Sequence, residues 1–415
     1  MEPSATSPAG ERHHGDPVTQ STAGGAAAPL YDLLLTDGDF VDPASGRQGR
    51  LDVAFAAGRV AAIAPTIAPA LSRQVERVAG TLVVPGLIDD HVHAVEGLGE
   101  AANPDAIGLA RGATTLVDAG TCGVRNFGTM KPVRATSQTR LFAWLNLSSI
   151  GQTDTRIGEL LFLPLLNVDE AIACAQAHPD VIVGFKGRLS TYVTGGSCLP
   201  ALRLLLEAGR QARLPVMVHV GDTAEPLGTI LDMLRPGDVV SHYLTSRRSN
   251  ILGVQAFPGA PIIPEVFEAR RRGVLLDTAR GRNHLAFPQM QVAVEQDLLP
   301  DTFSTDLTTA TAVNPDFSLL MIATQFMAFG VPVAKCLPRM TVNPAKTIGH
   351  PELGRLEVGG VGDATLLKVE VGDFTITDVD GRSRQTQQRL AAIAVVRDGV
   401  FRDLTPPAIH AGTIG

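Results

Sequence analysis

The sequence has few of the features that define specialised protein classes, and cysteine is the clearest case. Its 415 residues include only four cysteines: Cys122, Cys174, Cys198 and Cys336. No two of them form a Cys-x-x-Cys pair and their spacing is irregular, which argues against a disulfide framework and against a cysteine zinc site. We therefore expect reduced thiols, as in the cytoplasm.

Long apolar runs and an excess of positive charge are also missing. No segment approaches the roughly 18 to 20 consecutive apolar residues of a membrane span, so we expect no membrane partner. The formal net charge is −7, and this acidic balance argues against nucleic-acid binding, which needs a basic patch. With 45% hydrophobic and 19% charged residues, the composition is that of an ordinary globular protein, and a small molecule is the expected partner.

The N-terminal segment lacks the elements of a secretory signal. Residues 1–29 have no basic start followed by an apolar stretch, so we expect no export and a cytoplasmic location. Their content of Pro, Gly, Ser and Ala is instead typical of a disordered tail.

Short alternating apolar segments at both ends of the chain predict a small β-domain. They span residues 31–35, 51–55 and 60–63 near the N-terminus and residues 364–369, 374–377 and 391–396 near the C-terminus. Turn signals such as Asp-Gly separate them. We interpret residues 30–82 and 353–405 as one β-sandwich domain built from both chain ends.

The middle of the chain, residues 83–352, alternates apolar runs with helix-length stretches. Eight runs are predicted strands: residues 81–88, 114–118, 141–147, 181–186, 216–219, 239–242, 274–277 and 303–306. Helices are expected between them, for example over residues 199–212, 227–234, 264–272 and 285–295. Near-continuous apolar strands that alternate with helices indicate an α/β fold with a parallel sheet, and eight such units indicate a (β/α)8 TIM barrel.

One connection is much longer than the others. Residues 148–170 separate the third predicted strand from the helix that follows it. Long loops in compact domains are often lids or binding loops, and a plain surface insertion is an equal alternative.

Two histidines end the first predicted barrel strand. His91 and His93 are two positions apart, so their side chains point to the same face of the strand. In a barrel of this kind the carboxyl ends of the strands form the catalytic face. A His-x-His pair alone is a weak signal, but further candidate ligands end later strands.

Four other candidate ligands also lie at the carboxyl ends of predicted strands. Lys186 closes the fourth strand, His219 the fifth, His242 the sixth and Asp306 the eighth. Each has an ordinary alternative: the lysine could extend to solvent, a histidine could be a plain hydrogen-bonding group, and the aspartate could cap a helix. Taken together they predict a metal site, because imidazole and oxygen ligands in this mixture suit Zn²⁺, with Mn²⁺ or Fe²⁺ as competitors.

Lys186 needs a particular chemistry to serve such a site. Burial among cations would lower the pKa of its ε-amine, and a neutral amine can take up CO2 as a carbamate. A carbamylated lysine is a carboxylate-like oxygen donor that is able to bridge two metal ions.

These residues give the chain a resemblance to the amidohydrolase superfamily. It resembles the superfamily in PGLIDDHVH (residues 85–93), MTVNPAKTIG (340–349) and GVGDATLL (360–367). It is similar to the dihydroorotase-like or deacetylase-like branch in LVDAGTCG (116–123), WLNLSSIG (144–151), VGFKGR (183–188) and LRPGDVVSH (234–242). The resemblance covers about residues 31–401 and implies an enzyme, and since such enzymes are often multimeric, a homo-oligomer.

The resemblance also implies a role for each candidate ligand. His91 and His93 would hold one metal ion, carbamylated Lys186 would bridge two, His219 and His242 would hold the second, and Asp306 would complete the first and transfer protons. The implied reaction is hydrolysis of an amide or ester by a metal-bridging hydroxide, as in a deacetylase, with a cyclic-amide hydrolase as the runner-up. Lys186 disfavours a mononuclear deaminase, and the presence of all six candidates disfavours a non-catalytic barrel.

Candidate substrate contacts come from strand ends and from the segments that follow them. Arg188 lies two residues past Lys186, and guanidinium groups suit substrate carboxylates. The other candidates are Asn146, Tyr243 and Arg280.

The loops that follow strands six, seven and eight depart from the branch. After Asp306 the branch tends to have Leu-His, where this chain has Leu307-Thr308. Arg280 and Arg282 point to an anionic substrate. The resemblance therefore supports the metal chemistry more directly than it supports any one substrate.

Overall fold

The computed structural model of the chain describes residues 28–154, 156–253, 260–314 and 317–404. The predicted disordered tail, residues 1–29, therefore lies outside the described residues except for its last two positions. Within the described part the strands form three sheets. Strands and helices are numbered below in chain order.

Two of the sheets combine strands from both chain ends. One has four strands in the order β5-β4-β1-β6 and the other has six in the order β17-β16-β15-β7-β2-β3. Their strands are β1 (Tyr31–Thr36), β2 (Asp39–Asp42), β3 (Arg47–Arg50), β4 (Asp52–Ala56), β5 (Arg59–Ala64), β6 (Ser72–Arg77), β7 (Leu82–Pro85), β15 (Ala364–Thr377), β16 (Ser383–Arg397) and β17 (Val400–Asp403). One buried cluster joins them, with Leu33 and Phe55 from the first sheet and Val83 and Leu366 from the second. Two sheets that share one apolar core form a β-sandwich.

The third sheet is parallel and has seven strands in the order β14-β13-β12-β11-β10-β9-β8. These are β8 (Leu87–Val92), β9 (Ala113–Ala119), β10 (Arg140–Asn146), β11 (Ile182–Arg188), β12 (Val216–His219), β13 (Val239–Ser241) and β14 (Leu275–Asp277). Every residue of β8, β9 and β11 is buried, as expected for a parallel sheet with both faces covered. The curled parallel sheet with its helices confirms the predicted TIM-barrel class.

The predicted eighth strand, residues 303–306, is not a regular strand. The segment still spans the gap between β14 and β8, through isolated parallel bridges Asp277–Thr302 and Val92–Leu307. The backbone N–H of Asp306 also donates to the carbonyl of His91 at 2.7 Å. Asp306 has a φ of 53°, and this left-handed conformation interrupts the extended backbone that a strand requires.

The predicted first barrel strand, residues 81–88, is divided between two sheets. Its first half is β7, which pairs with β15 and β2, and its second half is β8 in the barrel. The division falls at Gly86, where a Cβ would lie 2.2 Å from Oγ1 of Thr114. Only glycine permits this close approach, so the chain crosses here from the sandwich into the barrel.

Helices fill the connections between the barrel strands. Those among the described residues are α1 (Pro104–Ile107), α2 (Met130–Thr136), α3 (Val168–Ala177), α4 (Thr191–Thr194), α5 (Cys198–Ala212), α6 (Leu227–Met233), α7 (Pro264–Arg272), α8 (Phe287–Glu295), α9 (Thr309–Ala312), α10 (Leu319–Ala328), α11 (Val333–Cys336) and α12 (Val342–Thr347). In α5 the buried residues recur at helical spacing, for example Ala201, Leu202, Leu205 and Ala208, which is the pattern of a helix with one face on a core. No helix in the described residues is both long and apolar enough to span a membrane.

A long hairpin connects the sandwich to the loops at one end of the barrel. It consists of β15 and β16, and its turn is formed by residues 378–382. The carboxylate of Asp378 accepts a hydrogen bond from the backbone N–H of Phe287, which opens α8, at 3.0 Å. The hydroxyl of Ser246, in the loop after β13, donates to Asp380 at 3.0 Å. The hairpin turn therefore holds the two loops that follow the sixth and seventh barrel strands.

Candidate active site

The carboxyl ends of the barrel strands surround a cavity of about 130 Å³. It is lined by five of the six predicted metal ligands: His91, His93, Lys186, His219 and Asp306. The sixth, His242, is fully buried beside them, with its ring centroid 4.0 Å from that of His219 and 5.1 Å from that of His91. The structure thus brings all six side chains together at one end of the barrel.

His91, His93 and Asp306 form a compact group. Each offers one ligand atom, and these three atoms lie within 4.8 Å of one another. Oδ1 of Asp306 is 3.6 Å from Nε2 of His91 and 3.4 Å from Nε2 of His93. Burial acts to raise the pKa of the Asp306 carboxyl, but the hydrogen bond with His93 and the nearby imidazoles hold that pKa below its ordinary value. Two imidazoles and a charged carboxylate at this spacing could hold one divalent cation.

Lys186 is buried within the same group. Its Nζ lies 3.1 Å from Nε2 of His91, and burial lowers the pKa of its amine to about 7. Its aliphatic stem packs against Gly120, where a Cβ would lie 2.8 Å from Cβ and Cγ of Lys186. A substantial fraction of the amine is therefore neutral near pH 7, which is the state that can react with CO2.

His219 and His242 are neutral imidazoles. Burial lowers the pKa of both well below the ordinary value, and the basic groups around them act in the same direction. Nδ1 of His242 lies 2.6 Å from the carbonyl oxygen of Ala279. Because a carbonyl can only accept, Nδ1 carries the proton and Nε2 keeps a lone pair. That Nε2 atom is buried and has no hydrogen-bond partner among the described residues, which is the arrangement that a metal ligand requires.

Two residues that the sequence analysis missed support the first histidine pair. Nδ1 of His91 lies 3.2 Å from Oδ2 of Asp277, and Nδ1 of His93 lies 2.8 Å from Oγ1 of Thr121. Such partners fix the orientation of a ligating imidazole and leave its Nε2 directed at the metal. Asp277 could have been found, because it ends a predicted strand in the same way as the other candidates.

His284 is a further imidazole of the site that the sequence analysis did not single out. It lines the cavity, and its ring centroid lies 4.2 Å from that of His242 and 5.1 Å from that of His219. Burial lowers its pKa to about 4, so the ring is neutral. It belongs to the loop after β14, and no strand-end rule could have marked it.

The backbone around the cavity is strained at three positions. His242, Ala279 and Asp306 have φ values of 71°, 39° and 53°, in the left-handed region that costs energy for residues other than glycine. Two of them carry predicted ligands and the third supplies the carbonyl that binds His242. Strain of this kind is typical of functional sites, where side chains are fixed by their surroundings.

Arg188 lines the cavity, but most of its guanidinium group is already bound within the protein. Its Nε and Nη2 donate to the two carboxylate oxygens of Glu159 at 2.7 and 2.6 Å, and Nη1 donates to the hydroxyl of Tyr192 at 3.2 Å. Both members of the ion pair are buried. Glu159 lies in the long connection after the third barrel strand, so the pair fixes that connection against the mouth of the site.

Replacing Glu159 with glutamine is expected to destabilise the protein by about 3 kcal/mol, because it leaves the buried Arg188 charge without its counterion. The fall in melting temperature and in the denaturant midpoint measures the effect. The matched control is Glu207→Gln, which breaks a pair with Arg210 at the protein surface and should leave both midpoints unchanged. Equal midpoints for the two variants would show that the Glu159–Arg188 pair does not hold the connection.

The three other predicted substrate contacts do not line the cavity. Asn146 is fully buried, and its side chain binds the Gly120 carbonyl and the Ser148 N–H within the protein. Tyr243 is fully buried in the main apolar core. The guanidinium of Arg280 stacks on the ring of Phe317, 3.8 Å from its centroid. All three side chains are buried inside the protein.

The fold and site define a barrel hydrolase, and comparison with known proteins agrees. The sequence model of the amidohydrolase family matches residues 82–399. The chain belongs to this family and is a hydrolase of the amidohydrolase superfamily, which confirms the resemblance seen in its motifs.

Similar proteins carry several activities. A protein named deacetylase from Enterococcus faecalis is 28% identical over 90% of this chain and 99% of its own length. Another deacetylase, from Brucella anthropi, is 32% identical over 78% of this chain and 80% of its own length. A solved structure described as an adenine deaminase has a TM-score of 0.83 at 26% identity, covering 90% of this chain and 100% of that one. A structure described as a dihydroorotase has a TM-score of 0.81 at 28% identity, covering 89% and 99%.

Proposed function

We propose that the protein is a binuclear metal-dependent hydrolase that removes an acyl group, such as acetyl, from a small anionic substrate. The observation that carries this proposal is the convergence of four imidazoles, one buried lysine and one aspartate at one end of the barrel, five of them lining one cavity. The names of the deacetylase relatives support the acyl-transfer part of the proposal.

The donor set fits two divalent cations, with Zn²⁺ as the first choice. His91, His93 and Asp306 would hold the first ion, and His219 and His242 would hold the second. Lys186, as a carbamate, would lie between them. Carbamylation joins the neutral Nζ of Lys186 to the carbon of CO2 and releases one proton. When bound, the two ions supply Lewis acidity to a water molecule and to the substrate carbonyl.

The side chains of the chain orient the reactants and move the proton. Oδ1 of Asp306 faces the two histidines, which leaves Oδ2 to accept the proton of the attacking water and to pass it to the departing amine or alcohol. Asp277 and Thr121 keep the rings of His91 and His93 in place. The cavity of about 130 Å³ limits the size of the acyl group that can enter.

A cyclic-amide hydrolase is the second candidate, because the structure described as a dihydroorotase superimposes with a TM-score of 0.81. A ring-opening reaction would use the same ligands and the same proton transfer. The two candidates differ in whether the product remains one molecule.

Removal of divalent ions by a chelator is expected to lower hydrolysis by about 10³-fold or more, because the ions supply several kcal/mol of transition-state stabilisation, and added Zn²⁺ should restore it. The assay is a panel of N-acyl amino acids, O-acyl hydroxy acids and cyclic imides, with ammonia release from aminated heterocycles measured alongside. Full turnover by protein shown to be metal-free by elemental analysis would rule out the proposed chemistry. Release of ammonia alone would identify a deaminase.

A further inference from the structure

Two polar side chains of the cavity wall have hydrogen-bonding capacity that the protein does not use. Gln152 and Thr308 both line the cavity, and they are only 9% and 8% exposed. Oε1 of Gln152 and Oγ1 of Thr308 are buried and have no hydrogen-bond partner among the described residues. Native proteins leave few buried polar atoms in this state, because each one costs free energy until a partner binds it.

The backbone of Gln152 is fixed close to the first histidine pair. Its N–H donates to the carbonyl of Thr121 at 2.9 Å, and the hydroxyl of the same threonine is bonded to Nδ1 of His93. The Glu159–Arg188 ion pair anchors the same long connection further along. Gln152 is therefore a fixed part of the wall next to His93.

Thr308 occupies the position before α9, where a threonine ordinarily accepts a hydrogen bond from the first turn of the helix. By hydrogen-bond geometry its hydroxyl has no partner among the described residues. Instead its own backbone N–H donates to the hydroxyl of Thr311 at 2.9 Å. The Thr308 hydroxyl is thus left available in the cavity lining, two residues past Asp306.

We propose that Gln152 and Thr308 recognise a hydrogen-bond donor of the substrate beside its scissile carbonyl, which makes the preferred substrate an N-acyl amine and not the matching ester. This inference rests on the proposed function. The carbonyl oxygen of a glutamine side chain can only accept, so its partner must be an N–H or O–H group. Both residues line the cavity that contains Asp306, the proposed donor of the leaving group's proton, and the leaving group of an amide has an N–H while that of an ester has none.

The test compares N-acyl amino acids with the matching O-acyl hydroxy acids, using zinc-loaded protein. Gln152→Met and Thr308→Val remove the polar atoms at similar volume, whereas Thr308→Ser retains the hydroxyl and should rescue the loss seen with Thr308→Val. Wild-type protein should have the higher kcat/KM for the amide of a pair. Each removing variant should lose about tenfold for the amide, the usual worth of one hydrogen bond, and change little for the ester.

The outcomes separate this inference from the function on which it rests. If the wild type hydrolyses both members of the pairs and the removing variants lose the same factor in kcat/KM for both, Gln152 and Thr308 do not recognise the amide N–H. The inference is then overturned while the proposed acyl hydrolysis stands. If zinc-loaded wild type hydrolyses no member of any pair, the proposed acyl hydrolysis fails and the inference fails with it. Elemental analysis of every variant confirms that metal content is unchanged.

Discussion

Replacing Lys186 with alanine is expected to abolish hydrolysis and to lower the bound metal below two equivalents per chain. The reason is structural: Nζ of Lys186 lies 3.1 Å from Nε2 of His91 in the cavity that His219 also lines, and burial lowers its pKa to about 7. Alanine has no amine to carry a carbamate, so added bicarbonate should not restore activity. Elemental analysis and turnover with the best substrate of the panel measure the two effects.

The control for this experiment is Lys335→Ala. Lys335 lies at the surface in a pair with Asp297, so its loss should alter neither metal content nor turnover. A Lys186→Ala protein that still binds two equivalents would contradict the bridging carbamate, whatever its remaining activity.

Replacing Asp306 with asparagine is expected to lower kcat by roughly 10² to 10⁴-fold, the range that a positioned acid–base group contributes. Asparagine has the shape of aspartate and tolerates the left-handed backbone at this position, so the fold should be retained. What is lost is the charged carboxylate that accepts the proton. The measurement is kcat at saturating substrate, with circular dichroism and melting temperature as checks on the fold.

Asp297→Asn is a closely matched control, because Asp297 also has a positive φ, of 52°, but is exposed and does not line the cavity. It should keep wild-type kcat. Full turnover by Asp306→Asn would remove Asp306 from the proton transfer and leave it, at most, as a ligand.

Much of the fold could be predicted because it depends on local pattern. Helix α7 was expected over residues 264–272, and the structure has it at Pro264–Arg272, since proline suits the first turn and Gly273 ends the helix. The barrel strands were visible as apolar runs because both faces of a parallel sheet are buried. An apolar run has the same pattern whichever sheet it joins. For this reason the sequence does not reveal that residues 81–88 divide between two sheets at Gly86.

The candidate site likewise contains residues that the sequence predicts and residues that it does not. The carboxyl ends of barrel strands meet at one face of the barrel. The six predicted ligands could therefore be identified from sequence, and the structure places them together. Glu159, Gln152 and His284 lie in loops, and their positions depend on tertiary contacts such as the ion pair with Arg188. Arg280 was expected at the substrate because it follows a strand, but its stacking on Phe317 is a contact that no spacing reveals.

The hairpin turn at residues 378–382 has a consequence for how the enzyme matures. It binds the loops after β13 and β14 through Asp378 and Asp380, yet it follows every barrel strand in the order of synthesis. Domains generally begin to fold from the N-terminus while translation continues. A nascent barrel therefore lacks the contacts of Asp378 with Phe287 and of Asp380 with Ser246 until this turn has left the ribosome, so the loops after β13 and β14 should reach their final stability late.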